Sequence, residues 1–391
     1  MIPSTPYFLI DESQFEQNID DFWNGMKSRW SRVQLSYSVK TNSLPWILKY
    51  LCSKGVAAEV VSDEEYDLAL LCGYKDTEIV FNGPCKGKEK YLDAVKRGAI
   101  VNIDSKREID WLVESGIQNE RPSTLGIRIN LPTSQFDAND ISYLDDGFRF
   151  GFSAETEELG IALERLGAVY DVSHIGFHLH CNSVTRNPNV YRSIARYAAK
   201  VADKYNIEPA FIDIGGGFFG GVPHKPKPEE YFGIIAEELS SNRRLRNSLL
   251  IAEPGSALIG SVVDLHTSVI DVKDTHLARV VTTDGSRVHI DPLWKKSSYR
   301  YSLVSSSESV FPGKQLICGY TCMDHDRLMS IDSDTELVAG DQIIYHMVGA
   351  YSMTFGGPFI KYWPDVYVSI DGQLEHIRSR MTVEEYLSIQ S

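Results

Sequence analysis

A chain of 391 residues, 43% hydrophobic and 24% charged, has the composition of a folded globular protein with a sizeable core: one large domain plus a smaller one, or two or three ordinary domains. No apolar run approaches the length needed to cross a bilayer, and a formal charge of −14 without a basic run argues against nucleic acid as a partner. Any anionic ligand must then be held locally, by backbone N–H groups, helix starts or a few placed cations.

The N-terminal stretch "MIPSTPYFLIDES" lacks a basic segment, a long apolar core and a small-residue cleavage site, so a cytoplasmic location is expected. Within it "PYFLID" reads as a strand, followed by the helical "SQFEQNIDDFWNGM". From residue 33 one pattern repeats, a short β-branched or aromatic run and then a longer amphipathic segment. The runs are "VQLSYSV", "AAEVVS", "EIVFNG", "AIVNID", "TLGIRIN", "SHIGFHLH", "AFIDIGG" and "LLIAEPG". Ser62 with Glu65 has the form of a capping box, and Gly73 suits a left-handed helix end. Eight strands alternating with helices fit a (β/α)8 TIM barrel, which needs about 250 residues. An open doubly wound sheet would call for a glycine-rich first turn, and "VKTNSLP" has none. Past residue 258 strands alternate without long helices, as in "SVVDLHTSVIDV", "KQLICGY" and "DVYVSIDG". The expected organisation is a barrel over 27–258 and a mainly β domain, sandwich-like or barrel-like, built from 1–26 and 259–391.

Catalytic residues of such a barrel belong at the C-terminal ends of its strands. There the sequence places Lys40, Glu59, Arg128, His178, His180, Gly215, Gly216, Gly217 and Glu253. A lone lysine at a strand end is ordinarily a solvated group and a lone histidine a core residue; convergence on one rim shifts that balance. A partly desolvated lysine can form a Schiff base with an aldehyde, which is how pyridoxal phosphate is carried. "IDIGGGF" offers backbone amides that can approach a phosphate, and Glu253 can face a ring nitrogen and keep it protonated. Six cysteines, Cys52, Cys72, Cys85, Cys181, Cys318 and Cys322, are scattered over the chain, which suits free thiols in a reducing compartment. Cys318 and Cys322 sit four apart with no second ligand pair after them, so no metal site is expected.

In order along nearly the whole chain, "SYSVKTNS", "AAEVVSDEE", "GFHLHCNS", "IDIGGGF", "EPGSAL" and "GAYS" resemble the motifs of the pyridoxal-phosphate decarboxylases of the alanine-racemase fold type, the diaminopimelate, ornithine and arginine decarboxylase group. The resemblance implies that Lys40 holds the cofactor, that His180 stacks on its ring, and that Ser183, Gly215, Gly216, Gly217 and Tyr351 bind its phosphate. It implies further that Arg128 lies near the phenolic oxygen, that Glu59 is among the cofactor-binding residues, and that Glu253 pairs with the ring nitrogen. Racemases of this fold place an arginine at that nitrogen, so Glu253 favours decarboxylation. "GYTCMDHD" is similar to the loop through which a partner subunit supplies a cysteine, which implies a homodimer with shared sites and makes Cys322 the general acid.

The departures lie toward the far end of the substrate. Diaminopimelate decarboxylases carry an arginine after "EPG", an arginine in an "RPALY"-like segment and a glutamate after the cysteine; here Ser256, Asp291 and Met323 stand there. With Asp326 and Lys295 these residues are the candidate substrate contacts, and Lys296 and Arg300 are either further distal cations or solvated surface. Unpaired buried charge is costly, so the expectation is an amino acid or conjugate with a neutral, bulky or anionic distal group, as in siderophore or antibiotic pathways. Alternatives are a diaminopimelate, ornithine or lysine type of decarboxylase and a racemase or epimerase. A small pyridoxal-phosphate-binding regulator would lack the β domain. Asn182 in place of a glycine and "FGGPF" after Tyr351 are lesser departures.

Overall fold

A computed structural model describes residues 3–117 and 124–391. Its chain forms two compact units, Asn18–Ala257 and the segment up to Gln17 joined with Leu258–Ser391.

The sheet of the larger unit is a closed parallel barrel. After β1 (Tyr7–Asp11), which belongs to the other unit, come β2 (Val33–Ser38), β3 (Ala57–Val60), β4 (Ile79–Phe81), β5 (Ile100–Ile103), β6 (Leu125–Asn130), β7 (Phe152–Ser153), β8 (Gly176–His178), β9 (Phe211–Asp213) and β10 (Leu249–Ala252). They hydrogen-bond in the order β5-β4-β3-β2-β10-β9-β8-β6, and the β5–β6 pairing, Val101 opposite Leu125, shuts the ring. Two-residue β7 hangs outside it on β6. All eight apolar runs read from the sequence are barrel strands, because a parallel strand covered on both faces needs apolar side chains without alternation. Space inside is set by volume. Val80, Ile100, Phe211 and Ile251 form a buried cluster, and a Cβ on Gly126 or Gly176 would run into the Phe211 ring.

Local signals act as read, with one refinement. Ser62 Oγ accepts from Glu65 N at 3.1 Å at the start of helix Asp63–Leu71, but the Glu65 carboxylate turns to Val61 N (2.9 Å) rather than to Ser62. The cap thus ties the helix to the end of β3. Gly73, at φ +107°, follows the helix in a conformation open to glycine.

The smaller unit is one mixed sheet. It adds β11 (Val263–Asp274), β12 (Arg279–Thr283), β13 (Arg300–Val304), β14 (Val310–Cys318), β15 (Arg327–Thr335), β16 (Gln342–His346), β17 (Asp365–Ile370) and β18 (Gln373–Arg378). Strand order is β15-β14-β12-β11-β1-β17-β18, with β16 joining β11 to β13. The N-terminal strand β1 therefore lies inside this sheet, antiparallel to β11 and parallel to β17.

Candidate active site

Lys40 lies in the single turn Val39–Thr41 that follows β2, and its Nζ is 3.0 Å from Glu59 Oε2 at the end of β3. Register puts Ser38 opposite Glu59, and Ser38 Oγ donates to the same oxygen at 2.5 Å. Burial alone would raise the Glu59 carboxyl, but Lys40, Ser38 and Asn82 together hold it below the usual carboxylate range. The result is an ionised acid, buried, beside an amine whose side chain is 45% exposed. Lys86 is the opposite case. Its amine is fully buried and saturated by Glu108 (3.0 Å), Gly83 O (2.7 Å) and Asn102 O (2.9 Å), so it is committed to holding loops.

Two more buried acids stand at the end of β9 and just after β10. Asp213 and Glu253 sit with His178 so that one donor atom from each falls within 4.8 Å of the others. Desolvation pushes Glu253 well above the carboxylate range and Asp213 to about 6, and the acids Asp213 and Glu59 raise Glu253 further. Glu253 thus carries a proton in the pair it makes with Asp213. Arg128, also buried, and Lys40 add positive charge nearby and help burial keep His178 neutral. A further cation would meet that same charge.

The raised Asp213 has a consequence for stability. Its folded form binds the proton more tightly than an unfolded chain titrating near 4, so its contribution is complete below about pH 4 and lost as pH rises through about 6. Asp213→Asn should flatten that part of the stability–pH curve of the cofactor-free protein, by up to about 3 kcal/mol across the window. Urea denaturation at pH 4.5 and 7.5 measures it; parallel curves for the two proteins would contradict the shift. The groups facing Asp213 are Glu253, Glu59, Arg128, His178, Asn102 and the Gly215 amide, which donates to it at 3.0 Å.

His180 follows β8, and burial first, then Arg128 and Lys40, lowers its imidazole to about 3, so it is neutral. Arg128 stacks its guanidinium on Phe150 at 4.7 Å and reaches His180 O at 3.4 Å. The glycines answer to these neighbours. Gly215 has φ +70° and a Cβ there would meet the His180 ring; one on Gly216 would meet Glu253 O. Gly217, at φ +89°, is less crowded, with Tyr191 Oη at 3.2 Å. The sequence suggested open amides; two of the three glycines are required by packing. Ser183 Oγ donates to Asp140 O (3.1 Å) and accepts from Arg186 N (2.8 Å), and Asn182 beside it is exposed.

Arg186 gave no sequence signal. Its Nη1 reaches Ser256 Oγ at 3.4 Å and Phe218 O at 3.3 Å, its guanidinium lies over Phe219 at 5.1 Å, and no carboxylate pairs with it among the described residues. A cation therefore stands at Ser256 after all, delivered from 70 residues away.

The remaining candidates lie on the β unit. Cys322 is exposed in the loop between β14 and β15. Asp326 is 2% exposed, and its carboxylate accepts from Ser286 Oγ (2.9 Å), Arg287 N (3.1 Å), Thr321 N (3.2 Å) and Thr321 Oγ1 (2.7 Å). It serves the loop that presents Cys322 rather than a ligand. Asp291 is similarly engaged by Arg287 (2.5 Å) and by the amides of Lys295 (3.1 Å) and Lys296 (2.9 Å). Lys295, Lys296 and Arg300 are exposed, and Met323 is half-buried. Tyr351 has φ +55° and is 40% exposed.

A parallel barrel with an amine held by a buried acid, and a second, protonated acid beside unpartnered imidazoles, defines an enzyme site for an aldehyde-bearing heteroaromatic cofactor. The chain belongs to the pyridoxal-dependent decarboxylases: residues 16–260 match the family model described as the pyridoxal binding domain of pyridoxal-dependent decarboxylase. It is a pyridoxal-phosphate-dependent amino acid decarboxylase. A probable chloroplastic diaminopimelate decarboxylase of Oryza sativa subsp. japonica is 27% identical, the match covering 98% of this chain and 79% of that protein. The diaminopimelate decarboxylase of Methanothermobacter thermautotrophicus is 22% identical over 99% of this chain and 92% of its own length. Among solved structures, the diaminopimelate decarboxylase of M. jannaschii superposes with a TM-score of 0.85 at 22% identity, covering 98% and 92% of the two chains. The arginine decarboxylase of Paramecium bursaria Chlorella virus follows the same fold with a TM-score of 0.75 at 21% identity, over 94% and 96%.

The residues fit the cofactor on their own terms. Both ring nitrogens of His178 and Nδ1 of His180 are buried and lack hydrogen-bond partners in this structure, and buried polar atoms rarely stay unpaired unless a ligand completes them. Among the described residues no helix is long and apolar enough to cross a membrane.

Proposed function

We propose that the chain decarboxylates a diamino dicarboxylic acid of the diaminopimelate kind. The observation that carries this reading is the end-to-end likeness to relatives that bear that activity in their names, with 97–99% of this chain covered by those of Oryza sativa, Methanothermobacter thermautotrophicus and Helicobacter pylori. The expectation of a siderophore-type substrate finds no support among those relatives. Its physical basis was three missing charges, and one is supplied through space: Arg186 stands at Ser256.

Bound pyridoxal phosphate supplies an aldehyde that takes up the substrate amine and a protonated ring that receives the electron pair of the broken Cα–carboxylate bond. Lys40 would hold the aldehyde carbon, and Glu59 would keep the amine aimed at it. Glu253 would hold a proton at the ring nitrogen, neutral His180 would cover the ring without competing for charge, and Arg128 would face the phenolic oxygen. Ser183, Gly215, Gly216, Gly217 and Tyr351 would bind the phosphate. Cys322, from a second copy of the chain in a homodimer, would protonate the α-carbon.

A second reading retains a non-diamino distal group. Two observations favour it: Met323 replaces an acid, and the Arg287 guanidinium is neutralised by Asp291. Carbon dioxide release from diaminopimelate, ornithine, lysine and arginine separates the two. Efficient turnover of diaminopimelate alone supports the first; turnover of none of the four supports the second. Exchange of the α-proton with the carboxylate retained would replace both with a racemase.

A further inference from the structure

Two asparagines, Asn82 just after β4 and Asn102 within β5, tie the three buried acids of the site together, and neither belongs to the set that the sequence singled out. Asn82 is 2% exposed, and its backbone is fixed because Asn82 N continues the β3–β4 ladder to Val60 O at 2.8 Å. Its amide nitrogen donates to Glu253 Oε1 at 2.6 Å and to Glu59 Oε1 at 3.1 Å, which uses both hydrogens. Its carbonyl accepts from Asn102 Nδ2 at 2.8 Å, and the same Asn102 nitrogen reaches Asp213 Oδ2 at 3.2 Å. Acceptors at the two ends fix both amides: flipping Asn82 would set its carbonyl against two carboxyl oxygens and its NH2 against the NH2 of Asn102. Asn102 Oδ1 is buried without a partner, so the orientation is imposed by the acids and not by what suits Asn102 itself.

We propose that Asn82, locked by Asn102, is a positioning residue that holds Glu59, beside Lys40, and Glu253 in one fixed register. This rests on the cofactor placement given under Proposed function. A single rigid amide between the two carboxyls sets the distance between the point that fixes the amine and the point that fixes the ring nitrogen. It also bridges the ionised Glu59 and the protonated Glu253, with Asp213, His178, Arg128 and Lys40 as the other charged or titratable groups facing Glu253. An ordinary buried asparagine would stabilise the fold without favouring one step of the reaction.

The test compares Asn82→Asp, which keeps the shape and removes the donors, with Asn102→Ala, which removes only the lock, in reconstituted enzyme. Losing hydrogen bonds to charged groups should lower kcat by about tenfold to a hundredfold in Asn82→Asp and by about tenfold in Asn102→Ala. KM should stay within about threefold in both, the absorbance of the bound cofactor should change with pH at a displaced midpoint, and cofactor affinity should fall. Variants that melt at lower temperature but keep the parental kcat and spectral midpoint would reduce Asn82 to a structural role and overturn the proposal. A parent enzyme that binds pyridoxal phosphate yet releases no carbon dioxide would fail the proposed function instead, leaving the spectral midpoint and affinity to judge Asn82.

Discussion

Lys40→Ala is expected to lower decarboxylation by about four orders of magnitude or more, the scale seen when a covalent catalyst loses its nucleophile. The size follows from the local structure. Lys40 is the amine that β2 delivers beside the ionised Glu59, whereas Lys86 is fully buried and bound by three acceptors, so it offers no substitute. Loss of Lys40 also leaves Glu59 with only Ser38 and Asn82 as donors, and burial then drives its carboxyl upward. The cofactor should bind more weakly and without its covalent link, visible as a shifted absorbance band; an unchanged spectrum and rate would remove the foundation of the account.

Cys322→Ala should leave cofactor binding within about twofold and lower kcat by about 10² to 10⁴, the range for loss of a general acid. Cys322 is exposed on a loop that is nonetheless held still, because the buried Asp326 carboxylate gathers four donors from Ser286, Arg287 and Thr321. A Cβ on Gly319 would strike that carboxylate, so the loop conformation depends on both residues. An exposed thiol presented on a rigid loop suits delivery to a second copy of the chain. Product analysis sharpens the test: slow or misplaced protonation at the α-carbon should appear as side products. Unchanged turnover and clean product would refute the acid role and return Cys322 to an ordinary surface thiol.

The barrel was legible because parallel strands bury both faces and leave uninterrupted apolar runs, each ending in a polar residue at the rim. Lys40, Glu59, Arg128, His180 and Glu253 were visible for the same reason. What the linear pattern could not carry was who already holds each charge. Asp326 and Asp291 looked like free acids near a substrate; in the fold their oxygens are taken up by backbone amides, hydroxyls and Arg287. Ser256 looked like a missing cation because Arg186, whose guanidinium reaches its hydroxyl, comes from another strand's loop. Asn82 and Asn102 carry no signature at all: an asparagine after a strand, like Asn82, is a common turn former until its partners are known, and Asn102 lies within an apolar strand run. The expectation about the distal group was drawn at the same point, by counting charges along the chain, whereas Arg186 beside Ser256 shows that a cation can be supplied through space.

Reduction of the pyridoxal-phosphate-loaded enzyme with borohydride, followed by peptide mapping, shows which lysine carries the cofactor. The stable pyridoxyl label is expected on Lys40 alone, in the peptide that contains "SYSVKTNS". A label on Lys86 or another lysine, or no label on a protein that still decarboxylates, would contradict it.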